Sequence, residues 1–190
     1  MNSGQSFLVI GAFVVLSTLT LNVNSSLIMT TTTGLEMEAT LSAVSIAQTM
    51  TDEVLTRDFD QKTTSGKRIY EAHDLTYSSE FGPDGIAEQI IGDNAVDTSR
   101  TDGFESKTKF NDVDDYEGYV RKSWNPRFGW FNVTVHVEYV DEDNPDAPSG
   151  GRTFYKCVTV EVMHPSLVKD ANNEVIPYVI KDLAVYRRYF

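Results

Sequence analysis

The first third of the chain carries two hydrophobic patterns in succession. From Phe7 to Leu16 every position is apolar or glycine, and Leu19, Leu21, Val23, Leu27, Ile28 and Met29 continue the run between Ser17, Thr18, Thr20, Asn22, Asn24, Ser25 and Ser26. No Asp, Glu, Lys or Arg occurs between Met1 and Leu35. Apolar residues on every side of a helix leave it no face for water. At a rise of ~1.5 Å per residue, Phe7 to Met29 reaches roughly 34 Å, close to the ~30 Å of a bilayer's hydrocarbon. The short polar side chains of its second half can bond back to their own helix or across to a neighbour, so this half suits contact with protein as well as lipid.

Beyond Gly34 the pattern becomes amphipathic. Leu41, Val44, Ala47, Val54 and Leu55, with Ala43, Met50 and Phe59 beside them, recur at three- and four-residue spacing, which marks one apolar stripe. Gly34 costs a helix about 1 kcal/mol relative to Ala, enough to loosen it without ending it. The pattern predicts one helix from Ser6 to about Phe59, with an apolar half at 5–34 and an amphipathic half at 35–60. A kink or local melting is allowed across Thr30–Gly34.

Residues 61–125 are broken by Gly66, Gly82-Pro83-Asp84-Gly85, Gly92 and Gly103, and propensity supports only a loop-rich connector with one short helix or strand there. Residues 126–190 read as a sheet. Phe131, Val133, Val135, Val137 and Tyr139 alternate with polar residues, and Phe154, Val158, Val160 and Val162 do the same after the Pro- and Gly-containing turn Asp141–Gly151. Those two runs make a hairpin, and Val175–Phe190 adds a strand whose alternation slips at Lys181–Asp182, as a bulge would produce. An antiparallel sheet with one apolar face needs a cover. The helix stripe supplies one, so Leu41, Val44, Ala47, Val54, Leu55 and Phe59 are expected against Val133, Val135, Val137, Val158, Val160 and Val162. The fold class expected is α+β, a long N-terminal helix packed on a C-terminal antiparallel sheet.

Charge narrows the function. The 28 acidic against 16 basic residues give a net charge of −12, all of it beyond residue 35, and no basic cluster exists for a nucleic-acid backbone. Cys157 stands alone and cannot form an internal disulfide, so stability rests on packing or assembly. A small residue packed on a sheet is the reading for it. His73, His136 and His164 keep no metal-ligand spacing, and no nucleophile motif or phosphate-binding glycine loop occurs, so the chain reads as a non-enzyme without a cofactor. Asp112 and Asp114, with Asp115 and Glu117, and Asp141 and Asp143, with Glu142 and Asp146, offer oxygens of the kind Ca2+ takes. Neither group has EF-hand spacing, and solvated acidic loops are the expectation. Asn24-Ser25-Ser26 and Asn132-Val133-Thr134 match the glycosylation sequon, in a helix and a strand that suit it poorly.

The short polar leader ending in Gly4, the apolar run Gln5-Ser6-Phe7-Leu8-Val9-Ile10 continuing through Gly11, Ala12, Phe13, Val14, Val15 and Leu16, and the order of elements resemble the type IV pilin superfamily, which includes the pseudopilins of type II secretion. The resemblance implies a lollipop-like subunit, cleavage of residues 1–4 after Gly4 to leave Gln5 as the new N-terminus, and a helix whose Phe7–Leu16, Leu19 and Leu21 bundle with copies of themselves in a filament core. It implies partners in sequence: the inner membrane and pilus assembly machinery first, then a helical homopolymer of this chain on the cell surface. The alternative within the resemblance is a membrane-anchored minor pseudopilin or accessory binding module. Phe7–Ile10 lack the glutamate that most bacterial pilins carry near the start of the mature helix, which leaves packing to set the spacing of subunits.

Overall fold

The computed structural model describes residues 3–86, 88, 95–97 and 109–187. Helix α1 spans Ser3–Leu55, followed by strands β1 (Ala95–Asp97), β2 (Val120–Asn125), β3 (Gly129–Tyr139), β4 (Tyr155–Met163) and β5 (Tyr178–Val185). Single 3-10 turns at Gln61–Thr63, Ala72–Asp74, Ser78–Glu80 and Asp114–Tyr116 punctuate the connector. The chain divides into two compact units, residues 1–38 and 39–190.

In the first unit α1 passes through Thr30–Gly34 without interruption. The hydroxyls of Thr30, Thr31 and Thr32 donate to the carbonyls of Ser26, Leu27 and Ile28 at 2.9, 2.8 and 3.0 Å. The single helix read from the sequence therefore holds here, without the local melting that the sequence allowed. These threonines satisfy themselves on the preceding turn, and one Gly is too weak a breaker to end a helix of this length.

In the second unit the sheet runs in the order β1-β2-β3-β4-β5. Strand β1 lies parallel to β2, and the other pairs are antiparallel. The arrangement is α+β, with the C-terminal part of α1 on the sheet, compatible with a pilin-like fold. Strand β3 alternates buried and exposed from Phe131 to Tyr139, the period that one covered face imposes. Val133 faces Val162, Val135 faces Val160 and Val137 faces Val158 across the β3–β4 ladder, and all six are buried.

The helix meets this face through Ala39, Ala43, Ala47, Met50 and Val54. Leu41, expected in the packed stripe, is 69% exposed, and Val44 and Leu55 are only partly buried. The stripe is displaced because the close approach of helix to sheet favours alanine; a reading weighted by side-chain size picks the larger neighbours. The helix also ends at Leu55, so Phe59 reaches the core from the loop, where its ring stands 5.6 Å from that of Tyr186.

Two further expectations change. Strand β2 lies at Val120–Asn125, within the segment expected to be connector, because its alternation of Arg121 and Ser123 inward with Lys122 outward offers no apolar signal. The bulge at Lys181–Asp182 is absent: β5 pairs with β4 without a break from Tyr178↔Val162 to Val185↔Tyr155. Asp182 keeps the inward parity yet reaches solvent, because β5 is the sheet's edge. The apolar run Ile86–Ile91 falls largely outside the described residues, as does Arg188–Phe190.

Candidate functional site

Two features of the chain have no counterpart in the ordinary core of an α+β domain. The first is the surface of the N-terminal unit. Phe7, Leu8, Val9, Ile10, Phe13, Val14, Val15, Leu16, Leu19 and Leu21 are all exposed, Leu8 at 76%. The helix is long and apolar enough to cross a membrane by length and composition. Two of its hydroxyls do not oppose an apolar medium, since Thr18 donates to the Val15 carbonyl at 2.9 Å and Thr20 to that of Leu16 at 2.8 Å. Leu8, Gly11, Ala12, Val15, Leu16 and Leu19 line one shallow groove along it. A Cβ added at Gly11 would meet nothing within 4 Å, so nothing within this chain demands glycine there. Gly4 and Gln5 lie inside the helix and are exposed.

The second feature is a buried polar network that straddles the connector and the sheet. Lys156 sits on β4 between Phe154 and Val158 at inward parity and is fully buried. Its Nζ donates to the Phe59 carbonyl at 2.8 Å, to Asp60 Oδ2 at 3.1 Å and to Asp114 Oδ1 at 2.9 Å. The rings of Phe59, Phe81 and Tyr139 surround the ammonium at 4.5, 4.9 and 5.2 Å, near enough for the attraction of a cation to an aromatic face. Asp60 is the anion this cage is built on. Its oxygens accept from the backbone N–H groups of Lys62 and Thr76 at 3.0 Å each, from the Thr76 hydroxyl at 2.9 Å and from the Tyr139 hydroxyl at 3.2 Å. Burial opposes this carboxylate's charge, but Lys156 and the Lys62 and Thr76 donors outweigh it and hold the pKa below the ordinary value. Burial, followed by the charges of Asp60 and Asp114, pushes the Tyr139 phenol upward.

Beside this network the connector folds into a carboxylate cluster. The Asp58 N–H donates to the Asn111 carbonyl at 3.2 Å and the Val113 N–H to the Asp58 carbonyl at 2.9 Å, which fixes the entry to the Asp114–Tyr116 turn. The Gly82 N–H donates to the Asp114 carbonyl at 3.0 Å, bringing the Pro83-Asp84 loop against that turn. Gly82 has φ +119°, a conformation that glycine adopts freely. Oxygens of Asp84, Asp112 and Asp115 then lie within 4.8 Å of one another. Asp112 and Asp115 are each 1% exposed, whereas Asp84 is exposed. Burial and the neighbouring Asp114 raise the Asp112 pKa to about 10, and burial raises that of Asp115 to about 6 against its two backbone donors. The same effect, burial first and the charge of Asp114 next, raises Asp84.

Of the sequence's acidic candidates, Asp112 therefore joins Asp115 and the distant Asp84, while Asp114 turns one oxygen to Lys156. Asp141 and Asp143 remain in an exposed turn where the Asp143 N–H donates to Asp141 Oδ1 at 2.8 Å. His164 stacks on Phe131 at 4.3 Å, and exposed His136 stands 2.8 Å from Glu117. Cys157 is buried. Sequence reasoning missed Asp60, Asp84 and Lys156. Only Lys156 left a signal: a lysine on the inward parity of an otherwise apolar strand face. No protein-family model matches the chain, and neither does a curated protein or a solved structure.

Proposed function

We propose that this chain is a structural, non-enzymatic subunit of an extracellular type IV pilus-like filament. One observation carries the reading: an uncharged helix whose apolar side chains are exposed all round from Phe7 to Met29. Such a surface has no stable monomeric state in water and is sheltered either by lipid or by copies of itself. Lipid tails and leucines are equally apolar, so transfer from membrane to a helical bundle is close to an even exchange in burial energy. Close packing at small residues then decides the balance. Gly11 and Ala12 on the groove, with Thr18 and Thr20 bonded to their own helix, suit that approach. Head-to-tail contact of this kind propagates as an open filament. The acidic sheet unit would face outward, its like charges keeping filaments dispersed.

In this reading the chain waits in the inner membrane with the pilus assembly machinery, is trimmed after Gly4, and then joins the homopolymer on the cell surface. Electron microscopy of sheared surface material, with N-terminal sequencing of the chain recovered from it, tests the proposal. Filaments composed mainly of this chain, beginning at Gln5, are expected. The missing acid at Phe7–Ile10 favours one second reading, a membrane-anchored minor pseudopilin or accessory binding module. It predicts that the chain stays with the membrane fraction and is a trace component of any filament.

A further inference from the structure

We propose that the junction of the Pro83-Asp84 loop with the Asn111–Tyr116 segment is a divalent-cation site, with Ca2+ the ion it fits and Asp84, Asp112 and Asp115 its carboxylate ligands. Three acidic side chains alone would be unremarkable on so acidic a protein. What separates this cluster from the exposed Asp141–Asp146 turn is the burial of Asp112 and Asp115 together with unfilled bonding capacity. Asp112 directs its carboxylate into the cluster while 1% exposed. Its Oδ1 accepts from the Asp115 N–H at 3.2 Å, but no donor among the described residues reaches its buried Oδ2, and the side chain in contact with it is the Asp114 carboxyl, an acceptor like itself. Asp114 Oδ2, next to it in the same turn, is likewise buried and unpartnered. Asp115 spends Oδ2 on the N–H groups of Asn111 and Asp112 at 2.9 and 3.3 Å, an arrangement that fixes the direction of its other oxygen.

A buried carboxylate oxygen without a partner costs stability unless a charge or donor completes it. Among the described residues no basic side chain forms an ion pair with Asp84, Asp112 or Asp115, and Lys156 is committed to Asp60 and Asp114. The missing element is positive charge without bulk: one proton shared by the Asp112 and Asp114 carboxyls supplies it when the cluster is empty, and a bound metal ion would supply it with the carboxylates ionised.

The donor set selects the ion. All three ligands are hard oxygens, which suit Ca2+ or Mg2+ over a metal that prefers nitrogen or sulfur. Oxygens on Ca2+ sit at ~2.3–2.6 Å, so ligands on opposite sides of it are up to about 5 Å apart, and the span of the cluster matches that sphere. Mg2+ needs a tighter octahedron at ~2.0–2.1 Å. Exposed Asp84 leaves one side open for entry and for the water that fills the remaining coordination positions. The ion would pin the Pro83-Asp84 loop to the turn that presents Asp114 to Lys156, and so brace the core from the connector side.

The experiment uses the full-length protein in detergent, freed of metal by chelation, with Ca2+ titrated calorimetrically and thermal unfolding followed by the fluorescence of Trp124 and Trp130. One Ca2+ per chain should bind saturably and raise the unfolding temperature by several degrees. Asp112→Asn and Asp115→Asn should abolish binding and the thermal response, while unfolding in chelator at a temperature no lower than the parent. Asp141→Asn with Asp143→Asn should leave the response intact. The proposal is overturned if no saturable binding occurs, or if the response survives in Asp112→Asn. It is equally overturned if an equal rise follows from NaCl of matched ionic strength, since the effect would then be charge screening.

Discussion

Replacing Lys156 by methionine keeps about the length and volume of the side chain and removes its charge together with its three hydrogen bonds. The consequence follows from what the ammonium touches. Lys156 and Asp60 are both fully buried at a separation of 3.1 Å, and Asp114 lies on the other side at 2.9 Å. Without the lysine, Asp60 keeps its donors from Lys62, Thr76 and Tyr139 but has no counter-charge, and the Phe59 carbonyl loses its donor. Breaking a buried pair by removing one partner costs about 3–5 kcal/mol; the donors that remain on Asp60 place Lys156→Met at the lower end, about 3 kcal/mol. With a urea dependence of roughly 2 kcal/mol per M for a domain of this size, the unfolding midpoint should fall by about 1.5 M. Both tryptophans stand on β2 and β3 with ring centroids 5.0 Å apart, so their fluorescence reports the sheet unit directly. Asp60→Asn in the Lys156→Met background removes one of the two carboxylates left without a counter-charge and should recover at least about 1 kcal/mol, because a buried neutral group is tolerated where a lone ion is not. A single variant that loses under about 0.5 kcal/mol, the scatter of an ordinary surface change, would refute the reasoning.

Other outcomes follow from the same contacts. The pKa of Asp60 is lowered in the folded state, so its contribution to stability is present above its unfolded value and lost as pH falls through the folded one; acid should destabilise the parent more than Asp60→Asn. Asp115 and Asp112 are raised, to about 6 and about 10, so in chelator they favour the fold at low pH and cost stability as pH climbs from about 4 through those values; urea midpoints should decline from pH 5 to pH 8 in the parent and stay flatter in Asp112→Asn. Ala43→Leu should lose about 1–3 kcal/mol by overpacking the helix against the sheet, whereas Leu41→Ala, on the exposed side, should lose less than about 0.5 kcal/mol in the same unfolding assay. Leu16→Asp should abolish filaments seen by electron microscopy without shifting the sheet unit's urea midpoint, since a charge at the centre of an apolar helix costs about 2.5–3.5 kcal/mol in a membrane-like medium; filaments at normal abundance would contradict a core built on this helix.

The parts legible in the sequence are those in which a residue's neighbours along the chain decide its environment. Residues 7–29 must avoid water whatever the rest does, because a helix built from that run carries apolar side chains on every side and no charge, and the alternation from Phe131 to Tyr139 can only describe a strand with one covered side. Tertiary structure decided which side of the helix meets the sheet. Alanines at 39, 43 and 47 win over Leu41 through closeness of approach, a quantity that side-chain hydrophobicity does not encode. It also decided that β2 could place Arg121 inward, since Glu53 on α1 meets that guanidinium at 2.7 Å from 68 positions away. The carboxylate cluster and the Lys156 cage belong wholly to that second level. Asp60, Asp84, Asp112 and Lys156 acquire their charge relations only when four separate segments converge, and the energy of a buried charge depends on distances that chain order leaves open.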